Sequence, residues 1–194
     1  MAKVSSIAVY CGSKIGFSPA YAKAAQALGQ GMVERGVDLV FGGGRVGIMG
    51  EIADTVLQGG GKVTGIIPHF LDKLEVGYEK ATELIKVESM HARKIAMFNR
   101  AEAFVILPGG LGTLEEFFEV LAWKQLKLHQ KPIVVLNVEG CWTRLTELTD
   151  EIVASGFAHE KIASLYVTVV TVEDVFRVIS EPPKEDPLSL ATRS

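Results

Sequence analysis

Ala103-Phe-Val-Ile-Leu-Pro-Gly-Gly-Leu-Gly-Thr-Leu-Glu-Glu116 joins a short apolar segment to a glycine-rich turn. The apolar segment before the turn has the length of a buried β-strand, and apolar residues over 114–128 recur at the spacing of a helix face. Pro108 ends the strand, because proline has no N–H for a strand ladder and fixes its own φ. Thr113 and Glu116 stand at the capping-box spacing, so Thr113 is the expected N-cap. The stretch therefore predicts a strand, a turn and a helix.

The glycine-rich turn has the features of an anion-binding site. Gly109, Gly110 and Gly112 permit backbone angles that are closed to other residues and let a ligand approach the main chain. Free N–H groups and the positive end of the helix dipole converge there, so phosphate is the expected ligand. The alternative is a turn that needs glycines only for its geometry, since neither standard phosphate-loop spacing is met. The carboxylates of Glu115 and Glu116 would repel a phosphate, so they are unexpected in a site that only binds one. Their presence favours a site in which a reaction takes place beside the phosphate.

The composition is that of one globular domain. The chain has 194 residues, of which 48% are hydrophobic, which suits a sheet covered by helices on both faces. Residues 1–180 are expected to form this domain. The Pro-rich tail 181–194 has no apolar periodicity and is expected to be mobile.

Charge and residue usage exclude several classes of protein. A net charge of −3 gives no electrostatic basis for binding nucleic acid. Cys11 and Cys141 are too few for a disulfide framework, and the four histidines have no metal-ligand spacing. No apolar run reaches the roughly 20 residues of a membrane helix, and the N-terminal run is too short for a signal peptide. We expect a cytoplasmic protein with no metal, no cofactor and no membrane contact.

Strand and helix patterns alternate along the chain, which predicts a Rossmann-like, doubly wound, mostly parallel α/β sheet with helices on both faces. The expected strands cover 6–11, 37–41, 62–67, 83–87, 103–107, 132–136 and 166–170. The expected helices cover 19–35, 49–57, 90–100, 114–128, 142–155 and 172–180, and 69–82 is expected to be a polar loop.

Glycine-rich turns follow three of the expected strands. In such a sheet, ligands bind beyond the carboxyl ends of the strands, where the strand order reverses. The turns are Gly12-Ser13, Gly42 to Gly47 (with Gly43 and Gly44), and Gly109 to Thr113. Three such turns at one edge predict a phosphate or nucleotide site.

A basic pair opens the helix before the glycine-rich stretch. Ser89 is the expected cap, and Arg93 and Lys94 lie in the first turns of the helix, where cations oppose the helix dipole. A solvated basic face is the simpler interpretation of either residue alone. Their placement favours a nearby anionic ligand or carboxylate, and Arg can hold either one with two parallel hydrogen bonds.

With Pro108-Gly-Gly-Leu-Gly-Thr-Leu-Glu-Glu116 preceded by Met90-His-Ala-Arg-Lys94, the chain strongly resembles the LOG family of cytokinin riboside 5′-monophosphate phosphoribohydrolases. The family motif is Pro-Gly-Gly-x-Gly-Thr-x-x-Glu, and every fixed position is met. The likeness extends from Gly12-Ser13 to the Lys131-Pro132 step and leaves out the tail. Such proteins are often labelled lysine decarboxylases, a name that these residues do not support.

The resemblance implies a homodimer that hydrolyses the N-ribosidic bond of a purine nucleoside 5′-monophosphate, either AMP or an N6-prenylated AMP. By position it makes Arg93 and Glu116 catalytic, with Glu115 close beside. The residues that it assigns to the 5′-phosphate are Gly109, Gly110, Gly112 and Thr113. Lys94 and Glu75 match substrate-contacting positions.

Two other functions fit parts of the same pattern. A nucleotide- or molybdenum-cofactor-binding carrier without turnover shares the glycine-rich pattern, but a carrier has no need of Glu116 beside the phosphate. A dinucleotide oxidoreductase would require Gly-x-Gly-x-x-Gly after the first strand, where Cys11-Gly-Ser-Lys-Ile-Gly16 stands instead.

Overall fold

A computed structural model of the chain describes residues 4–181, except for the side chains of Glu75 and Val76. The strands are β1 Ser6–Tyr10, β2 Asp38–Phe41, β3 Val63–Pro68, β4 Glu83–Val87, β5 Ala103–Ile106, β6 Ile133–Leu136 and β7 Val167–Val169. The helices are α1 Pro19–Arg35, α2 Gly47–Gln58, the single turn α3 His69–Leu71, α4 Met90–Arg100, α5 Leu111–Gln125, α6 Thr143–Ala154 and α7 Val172–Ser180. A π-helical turn covers Asp72–Val76, and 3₁₀ turns cover Val138–Gly140 and Glu160–Ser164.

The predicted parallel α/β sheet is confirmed. The strand order is β4-β3-β2-β1-β5-β6-β7, and every pair of neighbours is parallel. The chain builds outward from β1 to β4 and then returns to place β5 on the other side of β1. The strand order therefore reverses between β1 and β5, the point at which such sheets bind ligands.

Helices cover both faces of the sheet because successive strand residues point to opposite sides. In β1, Ile7 and Val9 pack in the core under α1, α2 and α7, whereas Ala8 and Tyr10 pack in the core under α4, α5 and α6. All four residues of β5 are buried. Burial on both faces explains why the strands read as continuous apolar runs.

Local signals set most element boundaries. All seven predicted strands are found to within one residue at either end. Helix α1 begins at Pro19, with the Ser18 hydroxyl accepting a hydrogen bond from the Ala20 N–H, and ends at Gly36, whose φ of 65° favours glycine. Ser89 caps α4 as predicted, its hydroxyl accepting from the Ala92 N–H at 3.1 Å.

Two boundary predictions are wrong. Helix α5 begins at Leu111 after an extended Gly110, so Thr113 lies inside the first turn and is not the N-cap. The buried Thr113 side chain packs against Gly109 instead, where an added Cβ would lie 2.1 Å from its hydroxyl oxygen. The expected loop over 69–82 contains α3 and the π-helical turn, whose Asp72 carboxylate accepts from the Gly77 N–H at 3.1 Å.

Of the predicted tail 181–194, only Glu181 belongs to the described residues. Its carboxylate accepts a hydrogen bond from Arg177 on α7 at 3.1 Å.

Candidate active site

The loops that follow β1 and β5 touch at the reversal of strand order. The Gly12 N–H donates to the Pro108 carbonyl at 3.0 Å. An added Cβ on Gly109 would lie 2.9 Å from the Gly12 nitrogen, so the two backbones approach as closely as only glycine allows. Gly47, with φ of 65°, presses on the Ser13 backbone, where an added Cβ would lie 2.3 Å away. The predicted meeting of three glycine-rich turns at one edge is thus observed.

A cavity of about 620 Å³ opens at this edge. The predicted site residues that line it are Gly12, Ser13, Arg93, Gly109, Gly110, Gly112, Thr113 and Glu116. Larger side chains form the remaining wall, among them Tyr21, Leu71, Met90 and Trp142. One end of the cavity therefore has backbone N–H groups at the N-terminus of α5, and another part of its wall is aromatic and apolar.

Arg93 on α4 and Glu116 on α5 face each other at the cavity. Their side chains are 8% and 7% exposed, and Nη2 of Arg93 lies 3.7 Å from Oε1 of Glu116. The Arg93 Nε is buried with no hydrogen-bond partner among residues 4–181, and its Nη1 contacts only the weak acceptor Sδ of Met90, at 3.8 Å. Buried donors are normally satisfied, so this guanidinium has unused capacity for an anion or a polar ligand.

Burial, more than any neighbouring charge, controls the proton affinity of Glu116. It raises the pKa of Glu116 to about 7, with a further rise from Glu115 and Glu119 and an opposing effect from Arg93 and Lys94. A carboxyl group that titrates near neutral pH in a cavity is typical of catalytic sites.

Lys94 and Glu115 do not line the cavity. The Lys94 ammonium contacts the Glu115 carboxylate and lies 3.0 Å from Oε1 of Glu119, so it links α4 to α5. Glu75 lies in the π-helical turn, and its side chain is outside the described part of the structure.

Gly43 and Gly44 do not line the cavity either, but they hold the segment that contributes Leu71 to its wall. The Gly43 carbonyl accepts from the Tyr78 N–H at 2.8 Å, and Gly44 forms an antiparallel bridge with Gly77. These two glycines thus contact the segment after α3 through Gly77 and Tyr78 and do not themselves face the cavity.

Several site residues had no individual prediction. Gly42 makes room for Arg93, since an added Cβ would lie 1.9 Å from its Nη2, and only the run of three glycines hinted at this. Cys141 and Trp142 reach the cavity from the loop after β6, where the Trp142 N–H donates to the Asn137 side chain at 2.7 Å. Cys11 is buried as expected, and burial raises the pKa of its thiol.

Neither a metal cluster nor a membrane segment is found in the described part of the chain. Among residues 4–181, no group of three or more His, Cys, Asp and Glu side chains could hold a metal ion. Within the same range, no helix is long and apolar enough to cross a membrane.

These features define a Rossmann-like α/β protein with a cavity at the reversal of strand order, lined by glycine-rich turns and by the buried pair of Arg93 and Glu116. Residues 49–179 match the family described as "Possible lysine decarboxylase". A rice protein (Oryza sativa subsp. japonica) named probable cytokinin riboside 5′-monophosphate phosphoribohydrolase LOGL9 is 48% identical over 84% of this chain and 71% of its own length. Arabidopsis thaliana LOG7, named cytokinin riboside 5′-monophosphate phosphoribohydrolase, is 42% identical over 90% of this chain and 81% of its own length. The chain belongs to this LOG family.

Solved structures of molybdenum-cofactor proteins share the fold. The molybdenum cofactor binding protein of Rippkaea orientalis has a TM-score of 0.66 at 21% identity, over 92% of this chain and 97% of that chain. The molybdenum cofactor carrier protein of Chlamydomonas reinhardtii has a TM-score of 0.67 at 18% identity, over 90% and 94%. At these identities the likeness is one of fold alone.

Proposed function

We propose that this protein is a phosphoribohydrolase that cleaves the N-ribosidic bond of purine nucleoside 5′-monophosphates, releasing the free base and ribose 5-phosphate. The observation that carries the proposal is the buried pair of Arg93 and Glu116 at 3.7 Å, beside a glycine-rich turn at the N-terminus of α5. Relatives at 40–48% identity are named for this activity on cytokinin riboside 5′-monophosphates.

The glycine-rich turn is assigned to the 5′-phosphate. Gly109, Gly110, Gly112 and Thr113 line the cavity where the free N–H groups of α5 begin, and Gly12 and Ser13 line it from the side of β1. The positive end of a helix dipole and unpaired N–H groups favour a phosphate dianion there.

Glu116 and Arg93 are assigned to the chemistry. As the C1′–N bond breaks, the base leaves with the bonding electrons and positive charge builds on the ribose, which a carboxylate at Glu116 would stabilise. Water then forms the new C1′–O bond, and the proton that it gives to Glu116 passes on to the departing base. Arg93 orients the Glu116 carboxylate and binds substrate through its unused donors.

The substrate is AMP or an N6-prenylated AMP. The part of the wall formed by Tyr21, Leu71 and Trp142 offers aromatic and apolar surface to a purine and to an apolar N6 group. The chain's net charge of −3 supports a small nucleotide, not nucleic acid, as its partner. Because nucleoside monophosphates are metabolites of the cell interior, we place the protein in the cytoplasm.

We also propose a homodimer. Apolar side chains near the cavity mouth are exposed: Leu111 retains 86% of its surface and Phe17 is fully exposed. The homodimer follows from the family resemblance, and these exposed apolar side chains are compatible with a surface that a second subunit covers. Sedimentation at several concentrations tests this, and a monomer at micromolar concentration would contradict it.

The second candidate is a carrier without turnover, since proteins named as molybdenum-cofactor carriers share the fold of this chain. A carrier would bind its cargo without releasing base from a nucleotide. Pterin in the purified protein, together with no base release from AMP, would support it.

Release of free base from AMP and from isopentenyladenosine monophosphate tests the proposal, with adenosine as the substrate that lacks phosphate. Wild type should release base from a monophosphate much faster than from adenosine, and Glu116→Gln should lose at least roughly a hundredfold in rate. Glu151→Gln, an exposed change on α6, is the matched control and should keep the wild-type rate. Base release by Glu116→Gln at the wild-type rate would overturn the catalytic assignment.

A further inference from the structure

Lys94 connects two helices instead of reaching into the cavity. It follows Arg93 on α4, and its ammonium contacts the carboxylates of Glu115 and Glu119 on α5, the second at 3.0 Å. Glu115 and Glu119 lie one helical turn apart, so both face α4. The side chains of Lys94 and Glu119 are only 12% and 19% exposed, whereas that of Glu115 is 54% exposed. The shielded partner of Lys94 is therefore Glu119.

This ion-pair cluster runs alongside the proposed catalytic pair. Lys94 is the chain neighbour of Arg93, and Glu115 is the chain neighbour of Glu116. Adjacent helical residues point about 100° apart, so one pair of side chains faces the cavity and the other links the helices outside it. At the far ends of α4 and α5, Phe98 packs edge-on against Trp123 with ring centroids 4.9 Å apart. The helices are thus joined by an aromatic contact at one end and an ionic contact at the cavity end.

We propose that Glu119 is a positioning residue: through Lys94 it holds α4 against α5 at the spacing that sets Arg93 opposite Glu116. The inference rests on the proposed hydrolase activity for its catalytic consequence, but the ionic link itself does not depend on it. It assigns the Lys94 ammonium to the protein's own carboxylates, and not to substrate. A shielded ion pair of this kind restrains geometry more than an exposed one does.

The same cluster acts on Glu116 electrostatically. The charged groups that face Glu116 are Arg93 and Lys94 from α4 and Glu115 and Glu119 from α5. Tyr10 at the end of β1 and Cys11 directly after it also interact with Glu116, and both stay neutral because burial raises the pKa of each. Removing the negative charge of Glu119 lowers the pKa of Glu116, because the carboxylate form of Glu116 then meets less repulsion.

The experiment compares Glu119→Gln, Lys94→Glu and the charge-exchanged pair Lys94→Glu with Glu119→Lys. The readouts are kcat/KM for base release from AMP and its pH profile, with Glu151→Gln as control. Glu119→Gln should lower kcat/KM by about tenfold and move the pH midpoint of its ascending limb to lower pH. The exchanged pair should recover most of what Lys94→Glu loses, because opposite charges again face each other across α4 and α5.

Two outcomes would overturn the inference. If Lys94 contacted substrate, the exchanged pair would be as inactive as Lys94→Glu alone. If Glu119 were a surface residue without a role, Glu119→Gln would keep the wild-type kcat/KM and pH midpoint.

Urea unfolding separates this inference from the proposed function. Lys94→Met, Glu119→Gln and their double variant should be non-additive in unfolding free energy, because the two residues form one interaction. Additive effects would overturn the ionic link even in an active enzyme. If the variants are non-additive but the wild-type protein releases no base, the ionic link stands and the hydrolase proposal is overturned instead.

Discussion

Gly42 and Arg93 share one space: a Cβ added to Gly42 would lie 1.9 Å from Nη2 of Arg93. Gly42 follows β2, and Arg93 comes from α4, about 50 positions later in the chain. The guanidinium can therefore face Glu116 only because residue 42 carries no side chain.

Gly42→Ala should move Arg93 and lower kcat/KM for base release by roughly a hundredfold, since misplacing a catalytic group by about 1 Å costs that much. Steady-state kinetics on the monophosphate measure the loss. In an Arg93→Ala background the same Gly42→Ala change should cost little, because the side chain that it displaces is gone. Equal losses in both backgrounds would contradict the shared-space explanation.

Arg93→Lys should reduce kcat/KM by about a hundredfold although it keeps the positive charge. Lysine has no planar guanidinium, so it cannot bind Glu116 and the substrate simultaneously, which is the role proposed for Arg93. Arg100→Lys, an exposed change at the end of the same helix, is the matched control and should behave as wild type. A fully active Arg93→Lys enzyme would show that charge alone suffices.

The raised pKa of Glu116 makes stability depend on pH. The folded protein holds this proton up to about pH 7, whereas an ordinary carboxyl, as in the unfolded chain, loses it near pH 4.5. Between these values the folded state binds more protons than the unfolded state, so stability falls as pH rises. The contribution lost between pH 5 and pH 8 is about 2 to 3 kcal/mol.

Urea unfolding at pH 5, 6.5 and 8 measures this loss. The glutamine in Glu116→Gln cannot ionise, so the unfolding free energy of this variant should fall less between pH 5 and pH 8 than that of wild type, by about 2 to 3 kcal/mol. Glu151→Gln should follow wild type. Parallel pH profiles for wild type and Glu116→Gln would show that the Glu116 carboxyl titrates at its ordinary pKa.

Gly112→Ala and Gly109→Ala should separate ligand contact from loop packing. An added Cβ at Gly112 meets nothing within 4 Å, so Gly112→Ala should keep or slightly raise the melting temperature. The same methyl group should crowd the bound phosphate and raise KM for monophosphates about tenfold. At Gly109 the Cβ would strike Thr113 and Gly12, so stability itself should drop by about 1 to 3 kcal/mol. An unchanged KM in Gly112→Ala would place the phosphate elsewhere.

Local sequence signals determined the architecture. Continuous apolar runs marked the seven strands, and Ser89 marked the start of α4, because capping depends on a few neighbouring residues. The alternation of strands and helices then led to the parallel sheet and to the edge where the glycine-rich turns meet.

Helix α5 shows where local signals fail. Thr113 and Glu116 fit a capping box, yet the helix begins at Leu111. Gly109 is pressed against Gly12, a residue almost a hundred positions earlier, and the buried Thr113 side chain packs on Gly109. Contacts between the loops that follow β1 and β5 therefore accompany the earlier helix start at Leu111. A capping pattern contains no information about such contacts.

The sequence, through its resemblance to the LOG family, predicted Arg93, Glu116 and the glycine-rich turn Gly109 to Thr113 as one site, and the structure brings these residues to one cavity. Tertiary structure alone decided which of two adjacent carboxylates enters the cavity, because the directions of Glu115 and Glu116 depend on how α5 is rotated against α4. It also decided that Lys94 pairs with Glu119, that Gly42 makes room for Arg93, and that burial raises the pKa of Glu116. Each of these depends on distances between groups far apart in the chain, which residue order does not specify.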